Sequence, residues 1–254
     1  MSGKALGRSR LVPLEWDTRH FGWPVARIEG DRLDDGELDA ALATARREGV
    51  RLVYWFADPT HEPDPATLAR HSGWLADRRV TFRLDRPSDA AAASSLHGEC
   101  ELGDWPRGVP SEAMIELARS AGGLSRFARD PRMPRDRFLA MYETWIRRST
   151  SREIADTVIV ARQGESLLGL VTVGRRASEA SIGLIAVADA AQRRGIGSAL
   201  LRAAASWTAT AGAMPLDVVT QLENGPAVQL YLRNGFRQSD LKHVFHFWPS
   251  GMVA

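Results

Sequence analysis

Residues 180–212 read ASIGLIAVADAAQRRGIGSALLRAAASWTATAG, and how this stretch folds decides how the rest of the chain is arranged. The run 182–187 is short, apolar and closed by Asp189, which suits a buried strand better than a helix. Beyond the loop, Ile196, Leu200, Ala204 and Trp207 recur at three- and four-residue steps and so share one helix face, packed toward that strand. Between strand and helix stand Gly195 and Gly197. Lacking side chains, they let a ligand approach main-chain N–H groups that have no partner in the first helical turn. The spacing predicts a strand, an anion-cradling turn and a helix.

Motif grammar narrows the anion. A P-loop would end in Gly-Lys-Ser or Gly-Lys-Thr, whereas Ser198 follows Gly197 directly; a dinucleotide fingerprint would need a third small residue where Leu200 stands. Gln192-Arg193-Arg194-Gly195-Ile196-Gly197 instead resembles the Gln/Arg-x-x-Gly-x-Gly/Ala acetyl-CoA signature of the GNAT N-acetyltransferase superfamily, set after a strand and at a helix start.

Outward from this unit, 216–221 reads as a strand and 224–234 as a helix, opened by Asn224 with Pro226 in its first turn and stopped by Gly235. Upstream, 112–120 and 135–148 read as helices, the second opened by Pro134 and turning Phe138, Met141, Tyr142 and Trp145 inward. Residues 157–162 and 167–173 are strands of a hairpin joined at Gly164. Nearer the start, 37–48 is a helix stopped by Gly49, 51–56 a strand, 66–71 a short helix and 80–84 a strand. The stretch 14–27, LEWDTRHFGWPVAR, is dense in aromatics and turn formers, with an edge strand near Val25 and Arg27.

Two distant segments parallel one another. Leu68-Ala69-Arg70-His71-Ser72-Gly73-Trp74 and Leu230-Tyr231-Leu232-Arg233-Asn234-Gly235-Phe236 both spell helix, glycine stop, aromatic, strand, with the glycine expected in the left-handed region. The first half reads as a worn copy of the second. It has no Gly-x-Gly turn, and Ala69 stands where Tyr231 stands, so it is expected to scaffold rather than bind cofactor. Residues 85–96, with Pro87 and four alanines, mark a boundary, which gives 1–90 as a degenerate GNAT-like scaffold and 91–254 as the catalytic domain.

At 254 residues the chain can bury a substantial core, and its formal net charge of +2 is too small to argue for nucleic acid. Cys100 is the only cysteine, so neither an intrachain disulfide nor a cysteine metal cluster is expected, and a reducing cytoplasm fits. No apolar run approaches the roughly 20 residues of a membrane span, and the N-terminal residues lack an apolar export segment. The expectation is a cytoplasmic enzyme with no metal, no membrane and no nucleic acid.

The order of elements over about 112–248 resembles a whole GNAT N-acetyltransferase domain. The stretches LEWDTRHFGWPVARI (14–28) and SRFARDPRMPRDRFLAMYETWIRRS (125–149) are similar to the bacterial branch that includes dTDP-fucosamine (dTDP-4-amino-4,6-dideoxygalactose) acetyltransferase. This resemblance implies an α/β (α+β) fold with a central mixed, mostly antiparallel sheet, plus a smaller N-terminal α/β region resembling a degenerate half of the same fold. It implies acetyl-CoA as acyl donor, the primary amine of a small molecule as acceptor, foremost an amino sugar carried on dTDP, and a homodimer. Alternatives are the same transfer to an antibiotic, polyamine or amino acid, or a silent acyl-CoA-binding module.

By the same resemblance, main-chain groups of Ile185, Ala186 and Val187 pair with pantetheine and face the thioester oxygen. Gln192, Arg193, Arg194, Gly195, Ile196, Gly197 and Ser198 cradle the pyrophosphate, Asn224 holds the pantetheine arm, and Tyr231 protonates the departing thiolate. The chemistry suits these assignments: an amine attacking a thioester builds charge on oxygen, and a phenol with an ordinary pKa of about 10 still carries its proton at neutral pH. The seven residues from Asn224 to Tyr231 are about two helical turns, so both face the cofactor. Glu101, Asp104, Asp130, Glu143, His97, His243, His246 and water all stand as candidates for the base. Arg126 and Arg129, followed by Arg132 and Arg135, are candidates for binding acceptor phosphates.

Overall fold

A computed structural model of the chain describes residues 11–87 and 100–249. The described residues fall into two compact units, one within Met1–Arg79 and Leu241–Ala254, the other within Val80–Asp240. Two strands, β4 (Trp74–Leu84) and β10 (Arg237–Phe247), begin in one unit and end in the other. Compactness thus puts the second half of the last strand in the first unit, and the division at 1–90 and 91–254 stands as a proposal about descent.

In the first unit, β1 (Leu11–Pro13) runs antiparallel to β2 (Val25–Ile28), β2 parallel to β3 (Leu52–Ala57), and β3 antiparallel to the second half of β10. Helix α2 (Asp35–Arg47) links β2 and β3 and buries Leu38, Leu42 and Ala45 in a core shared with Trp55, Phe245 and Phe247. It starts two residues earlier than its apolar stripe indicated, because Asp34 and Glu37 form a reciprocal capping box. The stretch 14–27 contains a helix that periodicity missed, α1 (Glu15–Phe21), ended by Gly22 at φ 80°. Seven residues are too few for a 3.6-residue period to show against so many aromatics.

The parallel between the two segments holds in the order of elements: α3 (Pro65–Arg70) leads into β4 as a later helix leads into β10. The glycines differ, however. Ser72, not Gly73, takes the left-handed conformation at φ 49°, and Gly73 N–H closes the helix on Leu68 O at 2.7 Å. In the second segment Gly235 is left-handed, at φ 82°, and Phe236 N–H closes on Tyr231 O at 3.1 Å. This bond aligns Leu68, rather than Ala69, with Tyr231. Gly73 is required for another reason: a Cβ there would lie 2.4 Å from the Phe247 ring.

The second unit holds a mixed, mostly antiparallel sheet in the order β9-β8-β7-β6-β5. Its strands are β5 (Glu101–Asp104), β6 (Thr157–Gln163), β7 (Ser166–Arg176), β8 (Glu179–Val187) and β9 (Leu216–Gln221), and only β8 and β9 run parallel among these neighbours. The helices are α4 (Glu112–Ala121), the single turn α5 (Arg126–Arg129), α6 (Arg135–Thr150), α7 (Ile196–Thr210) and α8 (Gly225–Arg233). Helix α7 buries Ile196, Leu200 and Ala204 as its spacing requires, but Thr208 rather than Trp207 completes the stripe, its hydroxyl donating to Ala204 O at 2.7 Å. No helix among the described residues is long and apolar enough to cross a membrane.

Candidate functional site

The site starts from one glycine inside β8. Thr172 of β7 pairs with Leu184 and Val173 with Ile182, so Gly183 is an extra residue, a bulge. Leu184 N–H donates instead to the buried Thr172 hydroxyl at 2.9 Å. A Cβ on Gly183 would meet that hydroxyl at 3.0 Å and Trp145 Nε1 at 3.4 Å. A bulge bends its strand, and the β8–β9 pairing stops there: it runs from Ala180↔Leu216 to Ile182↔Val218, although β8 continues to Val187 and β9 to Gln221. Past the bulge, Ile185, Ala186 and Val187 pair with β7 alone. Alternate residues of such an edge turn both N–H and C=O away from their one partner strand. An isolated glycine inside a strand pattern is the local sign in the sequence of such a bulge.

The chain then turns into α7. Gln192 Nε2 braces the turn on Asp189 Oδ1 at 2.8 Å, Arg193 sits at φ 60°, and Gly195, at φ 81°, is the N-cap. No side chain caps this helix and no acidic residue lies in its first turn. The first main-chain bond closes Ala199 N–H on Gly195 O, so the N–H groups of Ile196, Gly197 and Ser198 lack intrahelical acceptors and the helix dipole is uncompensated. A Cβ on Gly195 would meet nothing within 4 Å, leaving the approach to those groups open. Gly197 has a different duty. Its missing Cβ lets Leu230 of α8 pack 3.2 Å from where that atom would be, so the absent side chain lets two helices meet while the Gly197 N–H stays without an intrahelical acceptor.

Helix α8 is thereby laid on the uncapped turn. Asn234 Nδ2 donates to Ser198 Oγ at 3.0 Å and to Leu230 O at 2.7 Å. At the other end Asn224 is the N-cap, accepting from Ala227 N–H at 3.3 Å, with its Nδ2 reaching Thr220 Oγ1 at 3.4 Å. Tyr231 is 2 % exposed, its ring packed on Phe82 and Phe236 at centroid distances of 5.5 and 5.9 Å. Burial raises its phenol above the ordinary value, so the proton is held more firmly than in water.

Of the arginines, Arg129 comes within 3.9 Å of Glu223, the residue before Asn224. Arg126 lies over the Phe127 ring at 4.4 Å. The candidate bases are scattered. Glu143 is bound by Arg147 and Arg119, which lower its carboxyl below the ordinary value against the opposing effect of desolvation. Asp130 is buried and accepts from Arg132 N–H; Asp104 and Glu101 lie on the exposed strand β5. His243, on Glu62 at 2.6 Å, and the buried His246, beside Tyr54, belong to the first unit. His97 lies outside the described residues. Among the described residues no group of three or more His, Cys, Asp or Glu could hold a metal ion.

The arrangement fits an acyl-CoA: an uncapped, acid-free helix start with open space over Gly195 for a diphosphate, beside a strand edge left without its parallel partner for an amide-bearing arm. Comparison with known proteins points to similar chains. Residues 155–238 match the acetyltransferase (GNAT) domain. The spore coat polysaccharide biosynthesis protein SpsD of Bacillus subtilis is 30% identical over 149 residues, covering 59% of this chain and 51% of that protein, so the chain spans about half the length of this curated relative. A conserved protein of unknown function from Staphylococcus epidermidis shares the fold at TM-score 0.64 and 13% identity, over 97% of this chain and 94% of that one. A GCN5-related N-acetyltransferase from Sphaerobacter thermophilus does so at TM-score 0.62 and 14% identity, over 95% and 77%. Residues 155–238 are thus similar to a GNAT acetyltransferase domain, and the chain shares its fold with these solved structures over nearly its whole length.

Proposed function

We propose that the chain is an acetyl-CoA-dependent N-acetyltransferase acting on the primary amine of an amino sugar carried on dTDP. The observation that carries this reading is the opening of β8 from β9 past Gly183, next to the uncapped turn of α7. Acetyl-CoA would supply an activated acyl thioester there. Gly195, Ile196, Gly197 and Ser198, with Gln192, Arg193 and Arg194, would bind its diphosphate, and Ile185, Ala186, Val187 and Asn224 its arm. Main-chain N–H groups of 185–187 stabilise negative charge where it develops on oxygen, because they are in place before the reaction. Tyr231 keeps its proton at Oη across the neutral range and gives it to a leaving sulfur.

The sugar acceptor rests on two supports. Arg129, placed beside Glu223, and Arg126 offer guanidinium groups suited to a nucleotide diphosphate. The Bacillus subtilis relative takes its name from polysaccharide biosynthesis. The exposed Glu223 favours a second reading, in which a cationic amine such as a polyamine or aminoglycoside is the acceptor. Thiol release from acetyl-CoA, measured against dTDP-amino sugars, aminoglycosides, polyamines and amino acids, tests both. Turnover confined to nucleotide amino sugars supports the first reading, and turnover only with polycations replaces it with the second. A cytoplasmic homodimer belongs to the same proposal, and light scattering on the full chain checks its mass.

A further inference from the structure

A pocket of about 130 Å³ in the second unit is lined by the end of β4, by α7 and by the end of α8, with Leu84, Arg86, Leu201, Arg202, Asn234 and Phe236 among its walls. Leu84, Leu201 and Phe236 make it apolar; two guanidinium groups supply its charge. The Arg86 and Arg202 side chains form no hydrogen bond or close ion pair with another described residue, although Arg86 lies near enough to Asp85 to help lower its carboxyl. The adjacent Asp85 carboxylate is already held by Arg237, at 2.6 and 2.8 Å. Two such cations on one small pocket suit a compact dianion, for which a guanidinium offers several N–H donors in a fixed fork.

The pocket is tied to the cofactor turn. Asn234, one of its walls, donates to Ser198 Oγ at 3.0 Å in the first turn of α7. Arg202 follows Ser198 on the same helix by four residues, about 6 Å of rise. In coenzyme A the diphosphate is attached at the 5′ carbon of a ribose whose 3′ oxygen bears a phosphate monoester, so one sugar ring sets the separation of the two anions. Resting on the acyl-CoA reading above, we propose that this pocket receives the 3′-phosphate of the donor, with Arg86 and Arg202 as its ligands. Arg86 then binds the donor from a segment far outside the matched domain at 155–238.

The test compares coenzyme A with 3′-dephospho-coenzyme A by calorimetry on the full chain, in wild type, Arg86→Ala, Arg202→Ala and Arg202→Lys. Wild type is expected to bind coenzyme A about tenfold tighter, the size of a charge-assisted contact. Each alanine variant should lose most of that preference while keeping wild-type affinity for the dephospho form, which also reports an intact fold; Arg202→Lys should restore part of it. Coenzyme A bound with the same preference in all four proteins, or with none in wild type, overturns the proposal and leaves the acyl-CoA reading standing. Binding of neither ligand overturns both. Inorganic phosphate provides a further arm: if it binds wild type in an Arg202-dependent way without competing with coenzyme A, the pocket takes free phosphate and the assignment to the 3′-phosphate is wrong.

Discussion

Asn234, at the end of α8, donates its side-chain N–H to the hydroxyl of Ser198 in the first turn of α7, at 3.0 Å. The helix carrying Tyr231 is thereby held to the turn that leaves its N–H groups open. Asn234→Ala should cost about 1 kcal/mol in urea unfolding and several-fold in acetyl-CoA affinity, because the open turn loses its brace. Unchanged calorimetric affinity in the variant would show that the two helices keep their register without this bond.

Gly195 is the position where a side chain is excluded by conformation rather than by space. Its φ of 81° disfavours any L residue, and a β-branched side chain would also cover the N–H groups beyond it. Gly195→Val is expected to lower acetyl-CoA affinity by about tenfold or more while circular dichroism shows the fold retained. A folded variant with wild-type affinity would put the diphosphate elsewhere.

Tyr231→Phe keeps the packing on Phe82 and Phe236 and removes the proton, so kcat should fall on the order of 10²-fold with little change in acetyl-CoA binding. The same substitution tests the burial effect. A phenol whose folded pKa is raised stabilises the fold fully below its unfolded pKa of about 10, and that contribution is lost as pH rises from there toward the folded value. Urea unfolding at pH 8 and pH 11 should therefore show a smaller alkaline loss of stability for Tyr231→Phe than for wild type. Equal losses would mean that the phenol is not desolvated.

Thr172→Val removes the acceptor that Leu184 N–H uses at the bulge and leaves a buried donor without a partner. A cost of about 1–3 kcal/mol follows, together with weaker acetyl-CoA binding if β8 relaxes toward β9. Retained stability would show that water or a shifted strand satisfies that N–H.

One acetyl-CoA per chain is expected by calorimetry. In the N-terminal half β2 pairs with β3 over all four of its residues, and the start of α2 is filled by the carboxylates of Asp34 and Glu37. A diphosphate would meet negative charge at the start of α2, whereas the start of α7 offers bare N–H groups. The same topology predicts that a fragment starting at Pro87 folds poorly, since β10 residues 243–247 would lose β3 and expose Phe245 and Phe247. A soluble, active fragment, or two sites per chain, would contradict these expectations.

What the sequence by itself determined is what depends on neighbours a few residues apart. The strand, uncapped turn and helix around Gly195, the opening of α8 by Asn224 with Pro226, and the helix stop at Gly235 are local backbone demands, legible because only certain side chains meet them. Tertiary structure decided what needs a partner from elsewhere in the chain. Gly183 became a bulge because Thr172 receives the displaced N–H, Gly197 proved to be a contact with Leu230, and Gly73 answers to Phe247, 174 positions away. The approach of Arg129 to Glu223, and of Arg86 and Arg202 to one pocket, is of the same kind. In a chain this rich in arginine a cluster along the sequence says little, because a guanidinium on a long side chain is placed by whichever strand or helix the fold sets beside it.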